Sequence, residues 1–333
     1  FGVDSLEELK SLDLEQLNQT PNNVDNQKID QSKENSFEGE KETSIKDDDN
    51  QSKEIIKKEV DKSVKDENDK SFTITSYSIA DKENDEAVAA LAQAIFSISR
   101  VDNDDPIAAW KEHQQTLTER QNWMNEQNFH SLHYTSPGTD LMLGLADGHA
   151  WKGGASTSRN GITCTPNIPT EEVFTTPHSD RVNGTVRASK PLVYRGTLID
   201  GIEVRFEEGK IVEAKADIGE EVFLKLLDTD EGARRLGEVA LVPHSSPISS
   251  SGLLFYNTLY DENASCHIAL GQCYSKCFKD EISNDPDAVT SSGGNSSNIH
   301  VDWMIGSGEL NIDGIKHNGD RIPVMRNGEW AYE

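Results

Sequence analysis

The sequence has no apolar run long enough to span a bilayer, and no signal-peptide pattern opens it. Basic residues are scarce: 32 Lys and Arg stand against 59 Asp and Glu, a formal net charge of -27. That charge argues against binding nucleic-acid backbones or an anionic membrane surface, and it fits a cytoplasmic protein. Cysteines number four, Cys164, Cys266, Cys273 and Cys277, and they form no spaced secretory framework, so a reducing compartment is expected. Cys273 and Cys277 could join His267 at a structural zinc, but no second closely spaced Cys pair accompanies them, which argues against it and leaves small buried thiols as the plainer reading. Hydrophobic residues make up 34%, low for a wholly globular chain, so part of it is expected to stay unfolded. The chain opens on Phe1 rather than Met, which reads as processing or a fragment boundary.

Residues 21–70 carry that poverty. Charged residues occupy 25 of the 50 positions, and only eight are Val, Ile or Phe. Such a stretch cannot bury enough surface to offset its ordering entropy. It reads as a disordered or weakly helical insertion. Its own net charge is only -5, so most of the acidity lies elsewhere.

What is present is a β-rich pattern with a few helices, an α+β chain rather than a βαβ repeat. Phe72–Tyr77 alternates like a short strand. Apolar residues at Val88, Leu91, Ala94, Ile95 and Ile98 form a helical stripe over Glu86–Val101. Asp105-Pro106 opens a second helix, with Asp as N-cap and Pro in the first turn, running to about Gln127. Ser136-Pro137-Gly138 marks a turn before a strand at Asp140–Leu145. Residues 191–215 read as hairpins punctuated by Asp200-Gly201 and Glu208-Gly209. A helix over Ile218–Leu227 and a buried strand over Glu238–Pro243 follow. The tail from Ile299 alternates, with turns expected at Asp313-Gly314, Asn318-Gly319 and Asn327-Gly328.

Four stretches bring metal-type ligands beside structure. Asn167-Ile-Pro-Thr-Glu-Glu172 places a carboxylate pair after a rigid proline. Asp230 to Glu238 ends on a carboxylate that enters an apolar strand, costly to bury unless it is paired or binds metal. Tyr260 to Tyr274 packs Asp261, Glu262, His267 and Tyr274 among small and apolar neighbours. As a helix it would put His267 and Tyr274, seven apart, on one face, with Glu262 a little over one turn earlier. The same stretch also fits a core helix with a satisfied histidine. His300 and Asp302, two apart on a strand, point to the same side. Two histidines and several carboxylates form a mixed N/O set, better suited to Zn²⁺, Co²⁺ or Mn²⁺ than to an all-oxygen Mg²⁺ site. They exceed one tetrahedral ion's needs, which allows two ions sharing a carboxylate.

In order, the motifs Asn167–Phe174, Asp230–Ala233 with Gly237-Glu238, Tyr260–Ala264 through His267 to Tyr274, and His300–Gly306 resemble the thermophilic aminopeptidase family (peptidase family M29). Ser246–Ser249 and Ser136–Asp140 are similar to it as well. The likeness covers about residues 86–333. It implies a cytoplasmic aminopeptidase acting on peptides, typically a homodimer, with two divalent ions per subunit (Zn, Co or Mg). It also implies a ligand set of Glu172, Glu238, Glu262, His267, His300 and Asp302. Glu172 is taken over Glu171 on the family's spacing to Glu238. Glu238 resembles the residue that handles the attacking water, and Tyr274 the tyrosine near the scissile group. Residues 86–333 then form the catalytic domain, and residues 1–85 an incomplete remnant of the family's α/β N-terminal domain. A catalytically silent metal-binding relative is the competing reading, motivated by that shortened region and opposed by the presence of Glu238 and Tyr274. An acidic interaction module built on 21–70 is a third. His178, His244 and His317 read as surface or loop histidines, and Trp110, Trp123 and Trp151 as core or interface residues.

Overall fold

The structure, a computed structural model, describes residues 84–332 except Arg159, Glu281 and Asn284. The expected N-terminal remnant, the 21–70 insertion and the strand at Phe72–Tyr77 lie outside the described residues. Helix α1 (Asn84–Ile98) and helix α2 (Pro106–Gln127) come first. In α1 the stripe is present, but only Ile98 at its end is fully buried, against Ile248 and Ala264. Asp105 caps α2 as expected, its side chain accepting from the Ala108 amide at 2.9 Å, with Pro106 in the first turn, where its missing N–H is no loss. Asn128, left-handed at φ 47°, ends the helix.

Strands then dominate. In chain order they are β1 (Ser131–Ser136), β2 (Thr139–Leu145), β3 (Lys152–Gly153), β4 (Ser156–Thr157), β5 (Thr163–Cys164), β6 (Val173–Thr175) and β7 (Pro177–Arg187). Next come β8 (Leu192–Tyr194), β9 (Thr197–Ile199), β10 (Glu203–Glu207), β11 (Lys210–Lys215), helix α3 (Glu220–Leu227) and β12 (Leu236–Leu241). Short helices α4 (Pro247–Ser251) and α5 (Thr258–Glu262) lead to β13 (His267–Gly271), and α6 (Pro286–Ser291) to β14 (His300–Met304). The chain closes with β15 (Asn311–Ile315), β16 (Arg321–Arg326) and β17 (Glu329–Trp330). Eight strands form one antiparallel sheet in the order β11-β10-β7-β2-β1-β15-β16-β17, and five form a second, β14-β13-β12-β6-β3. Among the described residues no helix is long and apolar enough to cross a membrane.

The β-rich pattern with a few helices is therefore what the chain builds, and two turns fall elsewhere than their sequence signals suggest. Asp313-Gly314 lies inside β15, where Gly314 pairs with Leu132. A Cβ there would sit 2.4 Å from the Phe129 ring, so the glycine serves close packing in a strand rather than a turn. The β8–β9 hairpin turns at Arg195-Gly196, both at positive φ, while Asp200-Gly201 links that hairpin to β10. Glu208-Gly209 does close the β10–β11 hairpin.

One apolar cluster joins the inner faces of both sheets. Leu132, Tyr134, Leu141, Leu143, Val182 and Phe206 of the larger sheet belong to it together with Val239, Leu241, Ile268, Leu270, Val301 and Trp303 of the smaller. The smaller sheet spends one face on this core and leaves the other free for polar groups, the usual economy of antiparallel strands. Trp151 and Trp303 are fully buried and Trp123 packs against the cluster. His178 lies half-buried in β7 rather than in a loop, while His317 is exposed between strands.

Trp303 anchors the strand that carries His300 and Asp302. Trp303→Ala is expected to cost about 3–5 kcal/mol of unfolding free energy, as for large-to-small changes in packed cores. Urea denaturation followed by circular dichroism reads it, and a loss below about 1 kcal/mol would contradict the packing described.

Candidate metal centre

The stretch Tyr260–Tyr274 is not one helix. Helix α5 stops at Glu262 with Asn263 at its C-cap, and β13 begins at His267. The reason is local: His267-Ile-Ala-Leu-Gly271 alternates with period two. Ile268 and Leu270 enter the core, while His267, Ala269 and Gly271 take the opposite face. Tyr274 lies beyond the strand, at the cap of a 3₁₀ turn over Ser275–Cys277.

Register then assembles the site. Strand β13 is flanked by β12 and β14, and Glu238, Ala269 and Asp302 stand in one cross-strand row. The small Ala269 lies between the two carboxylates and leaves the space above it open. Gly271 pairs with His300, so the neighbouring row is also uncrowded; a Cβ at Gly271 would lie 2.2 Å from the Ile299 carbonyl. The β12–β13 register shifts between Leu236 and Glu238, where Gly237 comes so close to the Gln272 carbonyl that a Cβ would be 2.3 Å from it. This bulge aims Glu238 onto the ligand face.

Glu172 comes from the residue before β6, whose Phe174 pairs with Ala240 of β12. Its Oε2 lies 3.0 Å from His267 Nε2. The adjacent Glu171 has the opposite fate. Arg100 donates to both its oxygens, at 2.5 and 2.9 Å, and Glu171 N donates to the Asn263 side chain at 2.7 Å. His113 completes this buried cluster: its Nε2–H donates to the Thr170 carbonyl at 2.7 Å and its Nδ1 accepts from Arg100. Burial holds the His113 imidazole below its ordinary pKa. Glu171 is thus tied back while Glu172 is free to face the sheet.

Both site histidines are oriented through the backbone. His267 Nδ1 meets the Ser265 carbonyl at 3.1 Å and His300 Nδ1 meets the Gln272 carbonyl at 2.7 Å. Each Nδ1 donates to its carbonyl, which turns Nε2 towards the site, where a bound cation would take the place of a proton. His300 Nε2 stands 3.5 Å from Asp302 Oδ2 and 3.7 Å from Glu238 Oε2. Two groups result, Glu172–Glu238–His267 and Glu238–His300–Asp302, in each of which the ligand atoms lie within 4.8 Å of one another. Glu238 belongs to both. Glu262 is in neither, but it stands near Asp302 from the end of α5, close enough for their charges to interact. Among the described residues neither group contains a cysteine; Cys273 and Cys277 are buried free thiols.

The electrostatics show a cluster short of positive charge. Burial, then the charges of Asp302 and Glu172, pushes Glu238 well above the carboxylate range. Burial and Asp302 push Glu262 up to about 8. Burial alone would lower His267, yet the Glu172 contact and the surrounding carboxylates outweigh it and raise it to about 10. Asp302 goes the other way: burial opposes, but the close His300 imidazole and its charge hold it below its ordinary value. Glu172 Oε2, Glu238 Oε2 and His267 Nε2 are buried with no aligned hydrogen-bond partner, the 3.0 Å Glu172–His267 approach being an ion-pair contact without hydrogen-bond geometry. Orphaned polar atoms like these are costly, and a cation between them would satisfy all three. The residues therefore fit divalent ions.

Tyr274 borders the cluster. It is 41% exposed, and its ring lies 4.8 Å from that of His300 and 6.2 Å from that of Phe174. Burial of its phenol and the nearby carboxylates raise its pKa, so the hydroxyl keeps its proton. Arg100, Asn263, Phe174 and Lys276 were not singled out in the sequence. Only the H-I-A-L-G alternation, which implies a strand and hence cross-strand partners, could have pointed towards such neighbours.

The buried carboxylate–imidazole cluster on one face of an antiparallel sheet is a candidate metal site with mixed N/O donors. Residues 3–330 match the family model of the thermophilic metalloproteases (M29), and the chain belongs to that family. It is 54% identical over 223 residues to Aminopeptidase T of Thermus thermophilus, covering 67% of this chain and 54% of the relative. Aminopeptidase 2 of Geobacillus stearothermophilus is 52% identical over 225 residues, with 68% and 54% covered. The solved structure of wild-type AmpT from Thermus thermophilus matches at a TM-score of 0.69 and 53% identity, covering 74% of this chain and 59% of that one. The chain spans about half the length of the curated relatives it matches.

The Arg100–Glu171 pair should be worth far more than a surface pair. Arg100→Met leaves a buried carboxylate unpaired and is expected to cost about 3–5 kcal/mol. Arg181→Met, which breaks the more exposed pair with Asp147, is expected to cost less than about 1 kcal/mol. Urea midpoints of the two variants at equal m-value check the contrast.

Proposed function

We propose that this chain is a metal-dependent aminopeptidase that removes N-terminal residues from peptides with the help of two divalent cations. The observation that carries the reading is the pair of ligand groups sharing Glu238, with buried donor atoms that meet no other partner. Glu172, Glu238 and His267 would hold one cation, and Glu238, His300 and Asp302 the other. Glu262 adds a further carboxylate beside Asp302. Four carboxylates with two neutral imidazoles are matched in charge by two divalent ions. The mixed donors favour Zn²⁺ or Co²⁺ over Mg²⁺. The names of the aminopeptidase relatives support the substrate class.

Bound cations would supply Lewis acidity and lower the pKa of a water molecule. Glu238, at the centre of the cross-strand row, takes the proton of the attacking water as its oxygen bonds to the scissile carbonyl carbon. The C–N bond then breaks, and the leaving amine takes that proton from Glu238. The Tyr274 hydroxyl donates a hydrogen bond to the oxyanion as it develops. Acidic residues around the site attract the α-ammonium group, which confines cleavage to N-termini. A homodimer belongs to the same reading, and light scattering coupled to size exclusion tests it.

The alternative, a metal-binding relative without a working cavity, draws on one observation: only about half of each relative's length is matched. One experiment separates the two. Metal-stripped protein is assayed for release of leucine from a short leucyl peptide, before and after Zn²⁺, Co²⁺ or Mg²⁺ is restored. The aminopeptidase reading expects restored cleavage, a raised melting temperature on metal addition, and a loss of about 10² to 10⁴-fold in Glu238→Gln. Folded, metal-loaded protein that cleaves nothing would establish the silent alternative.

A further inference from the structure

Resting on the aminopeptidase reading, we propose that Lys276 anchors a carboxylate of the peptide on the leaving-group side of the scissile bond, so that the site selects short peptides. Lys276 follows Tyr274 by two residues in the 3₁₀ turn and is exposed. Its ammonium lies 5.1 Å from the centre of the Tyr274 ring and 5.0 Å from that of Phe174. Both rings border the metal centre. Tyr274 packs against His300, and Phe174 follows Glu172 by two residues on the ligand side of the sheet. Two aromatic faces thus hold a cation beside a strongly acidic cluster. Among the described residues, no carboxylate lies within ion-pair distance of it; the lysine pairs formed include Lys215–Glu203 and Lys225–Glu221 on other elements.

The sign of the charge decides which end of the peptide this cation meets. An α-ammonium is repelled by a second ammonium and drawn into the carboxylate cluster of Glu172, Glu238 and Asp302, at whose border Lys276 stands. Lys276 therefore faces the other end of the substrate. Contacts of 4.8 Å and 5.1 Å in succession put its ammonium within about 10 Å of the His300 ring centre, the reach of about three extended residues. The C-terminal carboxylate of a di- or tripeptide falls within that span, and so does an acidic side chain next to the scissile bond. A long peptide with neutral residues there offers the lysine nothing to bind.

The test uses the full chain loaded with Zn²⁺ or Co²⁺. The ratio of kcat/KM for Leu-Gly-Gly to that for its C-terminal amide is measured in the native protein, Lys276→Met and Lys276→Arg. A second arm compares Leu-Glu-amide with Leu-Gln-amide, which separates the terminal carboxylate from an acidic side chain as its source. The native protein is expected to favour one carboxylate-bearing member by about tenfold, with most of the effect in KM, as for a charge-assisted hydrogen bond at a partly solvated site. Lys276→Met should bring that ratio close to one, and Lys276→Arg should keep it. Ratios near one in both arms for the native protein, or unchanged in Lys276→Met, overturn the assignment of Lys276 while leaving the aminopeptidase reading intact. Failure to cleave any of the four peptides overturns both.

Discussion

The candidate site rests on the pairing of β13 between β12 and β14. Three antiparallel strands set Glu238, Ala269 and Asp302 in one row and His300 opposite Gly271. A one-residue slip of β13 would send His267 into the core and Ile268 onto the ligand face. Register is therefore what places these side chains, and register is held by the apolar side. Ile268 and Leu270 pack with Val239, Leu241, Val301 and Trp303 in the common cluster. The chemistry of one face depends on the hydrophobic effect on the other.

Glu171 and Glu172 show how charge is divided around this frame. Both are buried acids in adjacent positions, yet one is neutralised by Arg100 and the other is left facing His267. The Arg100 pair removes one negative charge from a neighbourhood that already holds Glu172, Glu238, Glu262 and Asp302. It also fastens the strand entry, since Glu171 N and the Asn263 side chain join this segment to the end of α5. The carboxylates that remain have too few imidazoles to balance them, which is why their proton affinities separate so widely.

Much of the outline was legible in the residues. The α2 helix could be read from Asp105-Pro106 because capping is a local interaction, and Ser136-Pro137-Gly138 could be read as a turn for the same reason. The strand that carries Glu238 followed from its short apolar run, and the one that carries His300 and Asp302 from the alternation of the tail. The Tyr260–Tyr274 helix did not survive: the seven-residue spacing of His267 and Tyr274 fits two helical turns, but the period-two alternation of His267–Gly271 inside it forms a strand that ends before Tyr274. Gly314 misled for a related reason: a glycine needed for close packing against Phe129 looks, in sequence, like a turn residue. Arg100 left no signal at all, since its partner lies 71 residues away.

By itself the sequence determined the residue types: a mixed set of carboxylates and imidazoles, a β-rich pattern, and motifs whose order resembles one peptidase family. Those depend on composition and short-range periodicity, which are written in neighbouring residues. Only the tertiary structure decided that Glu172, Glu238 and His267 meet, that Glu238 is shared with His300 and Asp302, and that Glu171 is withdrawn by Arg100. Each of these is a contact between segments far apart in the chain. Strand register and core burial choose such contacts, and neither can be counted off along a sequence.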